Sequence, residues 1–124
     1  MSSETIRGFR DLKVWQKSMD LVAEIYSLLK LLPREEIYAL SDQMKRAAIS
    51  IPSNIAEGYG RYATKDYVRF LSIARGSKLE LETQLEICIM LKYLQRSQTQ
   101  NAFVLCSEVG KMLNSIIASL NQNQ

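Results

Sequence analysis

Glu82 and Glu86 stand one helical turn apart, and Glu35 and Glu36 are adjacent. Acidic clusters on helices can hold magnesium, as in all-α nucleotide pyrophosphohydrolases. The paired Glu-Glu-x-x-Glu and later Glu-x-x-Asp arrangement of those enzymes is missing. Glutamates at i,i+4 are ordinary on exposed helix faces. The chain has no histidine. That removes the commonest general base, the Ser-His and Cys-His nucleophile pairs, and histidine metal ligands. It also removes the Glu-x-x-His ligand set of ferritin-like di-iron bundles. Cys88 and Cys106 lack Cys-x-x-Cys spacing and fall in apolar helical patterns, so they read as buried, reduced thiols. No catalytic residue, metal site or cofactor is expected, and the chain reads as a non-enzyme.

The remaining chemistry is charge. The net charge is only +3, but it is segregated. Arg7, Arg10, Lys13 and Lys17 face a single acid, Asp11, over residues 7–17. Arg61, Lys65, Arg69, Arg75 and Lys78 face only Asp66 over residues 61–78. The rest of the chain is therefore net acidic. Such segregation suits an anionic partner, since lysine and arginine neutralise phosphates and release counterions. Lys65 and Arg69 sit near the start of a helix, where positive charge opposes the helix dipole, so helix stability does not account for them. The same helix turns acidic at Glu80, Glu82 and Glu86. Complementary ends could equally pair neighbouring subunits, which leaves a protein scaffold without nucleic acid as the alternative.

A third constellation lies in Ser50 to Arg61, Ser-Ile-Pro-Ser-Asn-Ile-Ala-Glu-Gly-Tyr-Gly-Arg. Ser50, Asn54, Glu57 and Arg61 line one helix side together with Arg46. Glu57 and Arg61 are spaced as an i,i+4 ion pair. This stripe reads as a structural polar network at a helix or subunit contact. Trp15 reads as core, and Tyr59, between Gly58 and Gly60, as the aromatic most open to a base.

These residues are positioned by four helices. The first spans about 11–32, with Asp11 as N-cap and Pro33 as terminator. Its seam is Leu12, Trp15, Met19, Val22, Tyr26 and Leu29, at alternating three- and four-residue spacing, and Leu21, Ile25, Leu28 and Leu32 widen the stripe. The second runs about 35–60, kinked at Pro52, with Gly58 and Gly60 as its flexible end. The third runs about 64–94 behind Thr64 as N-cap, with Tyr67, Phe70, Ala74, Ser77, Leu81, Gln84, Cys88 and Leu91 facing inward. Gly76 in mid-helix suggests close approach of a neighbour. The fourth runs about 98–121. Residues 1–124 make one all-α domain, an antiparallel up-down-up-down four-helix bundle. Apolar arcs wider than one bundle requires point to a homo-oligomer. No apolar run approaches the roughly 18 residues of a membrane span. Met1 to Thr5 lacks the marks of a signal peptide, so a cytoplasmic protein without a membrane partner is expected.

Four blocks carry a resemblance. They are Phe9-Arg10-Asp11-Leu12-Lys13-Val14-Trp15-Gln16-Lys17, then Ser50 to Arg61, then Phe70-Leu71-Ser72-Ile73-Ala74-Arg75-Gly76-Ser77, and finally Glu80-Leu81-Glu82-Thr83-Gln84-Leu85. In this order they resemble the four-helix-bundle proteins encoded within intervening sequences of bacterial 23S ribosomal RNA genes. The likeness spans about Phe9 to Leu120. It implies an up-down bundle, a homopentamer, and RNA or DNA as a partner. The related accessory proteins of diversity-generating retroelements bind nucleic acid and a reverse transcriptase, which adds a nucleic-acid enzyme to the implied partners. The resemblance supplies no catalytic residues.

Overall fold

The structure, a computed structural model, describes residues 5–122, which hold four α-helices and no strand. They are α1 (Lys13–Leu29), α2 (Leu40–Tyr59), α3 (Thr64–Met90) and α4 (Arg96–Gln122). Short 3₁₀ turns, Phe9–Asp11 and Arg34–Glu36, precede α1 and α2. The helices pack in the cyclic order α1, α2, α3, α4, each against two others. Along neighbouring pairs the partners count in opposite directions. Met44 Sδ meets Cys88 Sγ at 3.6 Å, and the Ser50 and Ser77 hydroxyls share a 2.8 Å hydrogen bond. On the other side Asn101 Nδ2 donates to Glu24 Oε1 at 3.1 Å, while Lys17 pairs with Glu108 at 3.3 Å.

Leu21, Ile25, Met44, Ile51, Ile55, Leu71, Leu81, Leu85, Val109 and Leu113 have no exposed surface and fill the space between the helices. Each stabilises the fold by roughly 1.5–3 kcal/mol through burial. Ala47, Ala48, Ala74 and Ala102 keep the helices close where larger side chains would hold them apart.

In α1 the buried row is Val14, Ser18, Leu21, Ile25 and Leu28. Leu21, Ile25, Leu28 and Leu32 of the stripe read from the sequence are buried, as is Leu29 of the seam, but the rest of the seam lies beside this row: Met19 and Tyr26 are 43% and 39% exposed, and Trp15 and Val22 are half-buried. Both rows have the same spacing, and periodicity tells which residues share a face, not which face turns inward. Ser18 tolerates the inner row because its hydroxyl donates to the Trp15 carbonyl at 2.7 Å. Asp11 is not the N-cap. It ends the 3₁₀ turn, and its Oδ2 accepts the Arg7 backbone N–H at 2.8 Å. The α-helix also stops at Leu29, earlier than expected, and turns through Leu31 and Leu32 before Pro33.

In α2 the helix begins at Leu40 rather than near Glu35. Glu36 still serves that end, because its Oε1 accepts the Leu40 N–H at 3.4 Å. The helix runs unbroken through Pro52. Gly58 is not part of a loose end. It is buried within the helix, and Gly60 caps it at φ −79°, in ordinary right-handed geometry.

Thr64 is the first residue of α3 rather than its cap, which is Ala63. Leu71 and Leu85 join the core from positions outside the expected inner face, while Leu91 is 45% exposed. The helix ends at Met90 because Lys92 turns left-handed, at φ 65°. Gly76 meets no neighbour: nothing lies within 4 Å of where its Cβ would stand. The close approaches occur at Gly58 and Gly110 instead. By length and composition α4 is long and apolar enough to cross a membrane, contrary to expectation. It nonetheless packs on α1 and α3, and its Glu108 is held by Lys17.

Candidate nucleic-acid interface

Tight packing of α2 on α3 builds one end of the molecule. With only hydrogen at Gly58, the Phe70 and Tyr67 side chains can rest against the helix. Tyr67 stacks edge-on against Tyr59, with ring centroids 6.0 Å apart. Burial, then the neighbouring Tyr59, raises the Tyr67 phenol above its usual range. The Phe70 ring then supports two guanidiniums, those of Arg61 at 4.8 Å and Arg69 at 4.6 Å. Cation–π contacts of this kind hold a charge in place without neutralising it.

The N-terminal basic segment arrives at the same end. The 3₁₀ turn Phe9–Asp11 packs on both α1 and α2. Phe9 meets Trp15 edge-on at 5.3 Å, and Arg10 lies over the Phe9 ring at 4.6 Å. Because α1 starts where α2 ends, Arg7, Arg10 and Lys13 share this end with Arg61, Lys65 and Arg69. Arg61 pairs with Glu57 at 2.8 Å. The other five make no ion pair among the described residues. Tyr62 stands fully exposed between Arg61 and Lys65.

The remaining basic candidates are placed elsewhere. Lys17 is held by Glu108. Arg75 donates to Asn114 Oδ1 at 3.0 Å. Lys78 lies across Gly110, pairs with Glu82 at 3.0 Å, and keeps only 13% of its side chain exposed. Its charge is turned inward. Among the described residues the exposed aromatics are Tyr62, Tyr38 and Tyr26, whereas Tyr59 is half-buried. Trp15 is also half-buried, at the edge of the core rather than within it. The signal for Tyr62 was its place in a loop between Gly60 and the start of α3, where no helix face could bury it.

The polar stripe joins α2 to α3. Asn54 Nδ2 donates to the Ser50 carbonyl at 2.8 Å and to Ser50 Oγ at 2.9 Å. Ser50 Oγ in turn shares its hydrogen bond with Ser77. Glu57 and Arg61 form the expected i,i+4 pair, while Arg46 pairs with Asp42. The helical glutamates are occupied too: Glu82 by Lys78, Glu86 by Arg96 at 2.8 Å. The Arg96 hydrogen bond is the main reason the Glu86 carboxyl titrates below its usual range. Among the described residues no three His, Cys, Asp or Glu side chains converge as metal ligands. Cys88 and Cys106 are free and buried. Burial pushes their thiols up to about 11 and about 12, respectively.

The molecule is thus of the all-α, four-helix class, with one end rich in cations that have no ion-pair partner among the described residues. The chain belongs to the 23S rRNA-intervening sequence protein family, whose model matches residues 10–115. It is also similar to a crystal structure from Bacteroides thetaiotaomicron VPI-5482, described as a protein of unknown function from the S23 ribosomal protein family. The two share 32% identity and superpose with a TM-score of 0.77, over 84% of this chain and 97% of that one. No curated protein matches the chain.

Proposed function

We propose that this protein is a non-enzymatic, cytoplasmic, up-down-up-down helical bundle that binds structured RNA or DNA at its basic end as a homo-oligomer. One observation carries the reading: two separate basic segments meet where α1 begins and α3 begins, and five of their cations lack a carboxylate partner among the described residues. Arg7, Arg10, Lys13, Arg61, Lys65 and Arg69 supply phosphate contacts, and Tyr62 offers a face on which an unpaired base can stack. A cyclic oligomer, the pentamer of the resemblance, repeats this patch and multiplies a weak contact.

Assembly has its own support. Trp15, Met19, Val22, Ile49, Pro52 and Ala56 line an open apolar groove of about 330 Å³ between α1 and α2. Exposed apolar surface of this kind suits a subunit contact. It also favours the second reading, a protein scaffold that carries no nucleic acid.

The deciding experiment is binding of the purified protein to structured RNA and to duplex DNA across a salt series. Under the first reading affinity falls steeply with salt, and Lys65→Glu/Arg69→Glu weakens it while oligomer size is unchanged. Absence of binding at low salt would sink that reading. Loss of the oligomer in the charge-reversed variant would favour the scaffold.

A further inference from the structure

At the end opposite the basic cluster, the start of α2 meets the second half of α3 over an open groove of about 620 Å³. Glu36, Leu40, Gln43, Glu80, Gln84 and Ile87 shape it. Tyr93 donates its hydroxyl to Glu36 Oε2 at 2.7 Å, which fixes that carboxylate at the rim. Neither Glu36 nor Glu80 has an ion-pair partner among the described residues. The Glu36 hydrogen bond is the main reason the Tyr93 phenol is raised, with burial and the charges of Glu36 and Glu35 adding to it.

Gln84 adds an independent observation. It is 6% exposed, lines the groove, and its Oε1 is buried without a hydrogen-bond partner. An unpaired buried acceptor is costly, and native proteins keep few of them. Leu91 in the groove lining is 45% exposed, and Ile37, Tyr38 and Met90, each next in sequence to a lining residue, are 44%, 94% and 69% exposed. A pocket for a small molecule would enclose its ligand. A shallow groove that sets Glu36 and Glu80 beside Leu40, Ile87 and Leu91 suits a longer partner.

We propose that this groove docks a segment of a partner protein that presents a lysine or arginine between apolar side chains. The cation lies between Glu36 and Glu80. A Gln84 rotamer turned outward gives Oε1 an N–H partner only when the segment is in place. Leu40, Ile87 and Leu91 take the flanking apolar groups. The site lies away from the basic end, so it does not depend on nucleic-acid binding.

The test is an NMR titration of the ¹⁵N-labelled full chain. The probe is a synthetic helical peptide of leucine, alanine and arginine, about three turns long. Peptides with glutamate or glutamine in place of arginine are the controls. Saturable shifts are expected at residues 36–43, 80–91 and the Gln84 side-chain amide with the arginine peptide alone. Glu36→Gln/Glu80→Gln should weaken binding about tenfold or more. Glu80→Gln alone, at an exposed position, serves should the double variant misfold. Gln84→Met should lose affinity yet melt no lower than the parent, which a purely structural glutamine would not do. Equal binding of all three peptides, or shifts confined to the basic end, would overturn the proposal. So would a change in oligomer size for Glu36→Gln/Glu80→Gln without peptide, since the groove would then be a contact between copies.

Discussion

A methyl group added at Gly58 would stand 2.7 Å from Cβ of Phe70. That distance fixes how closely α2 and α3 approach at the basic end. It also gives the segment carrying Gly58 a packing role. The glycine seats Phe70, and Phe70 seats Arg61 and Arg69.

Gly58→Ala is therefore expected to destabilise the fold by about 1–3 kcal/mol, the usual range for overpacking. This outweighs the helix-propensity gain of about 1 kcal/mol. Gly76→Ala is expected to do the reverse, stabilising by about 0.5–1 kcal/mol, because its helical site opens on empty space. Urea unfolding of the two variants beside the parent checks both signs.

Lys92 offers a second backbone test. It holds φ 65° just past the end of α3, where glycine is the usual occupant. Lys92→Gly should raise stability by a few tenths to about 1 kcal/mol. The thermal midpoint reports it directly.

Ser50 and Ser77 make one hydrogen bond between helices, and Ser50 also serves Asn54. Ser77→Ala should cost about 0.5–1.5 kcal/mol. Ser50→Ala should cost more, because it strips a partner from Ser77 and Asn54 together. Equal losses in a denaturant melt would show that the Asn54 bond to the Ser50 hydroxyl carries no weight.

Among the cations, position in the fold decides the expected response. Removing Lys65 or Arg69 as alanine should lower the salt slope of nucleic-acid binding by about 1 each. Lys78→Gln should leave the slope unchanged, because Lys78 is packed over Gly110 and neutralised by Glu82. Fluorescence anisotropy at several salt concentrations measures all three.

The two thiols give a pH dependence with a defined sign. Their folded pKa values, about 11 for Cys88 and about 12 for Cys106, lie above the free-thiol value of 9.0. Below that value both states hold the proton and stability is flat. As pH rises above it, the unfolded chain ionises first and stability falls, by up to about 1.4 kcal/mol per pH unit for each thiol. Cys88→Ala/Cys106→Ala should flatten the decline that begins as pH passes the free-thiol value of 9.0. Thiol reagents should label the parent only after unfolding.

The helices were legible from the sequence because their signal is local. Apolar spacing of three and four marks each one, and Pro33 and the Gly60 region punctuate them. The reduced thiols were legible too, from their apolar surroundings. Other features depend on neighbours far away in the chain. Two adjacent rows of α1 have the same periodicity, and only packing against α2 and α4 sets Val14, Ser18 and Leu21 inward and leaves Met19 outside. Gly58 and Gly76 are identical as letters, yet one faces Phe70 and the other faces nothing. Likewise nine cations read as two basic runs, and the fold sorted them. It gathered Arg7, Arg10, Lys13, Lys65 and Arg69 at one end and turned Lys78 inward against Glu82. Spacing along a chain determines which residues share a helix face, whereas the partner across that face is fixed only when the helices meet.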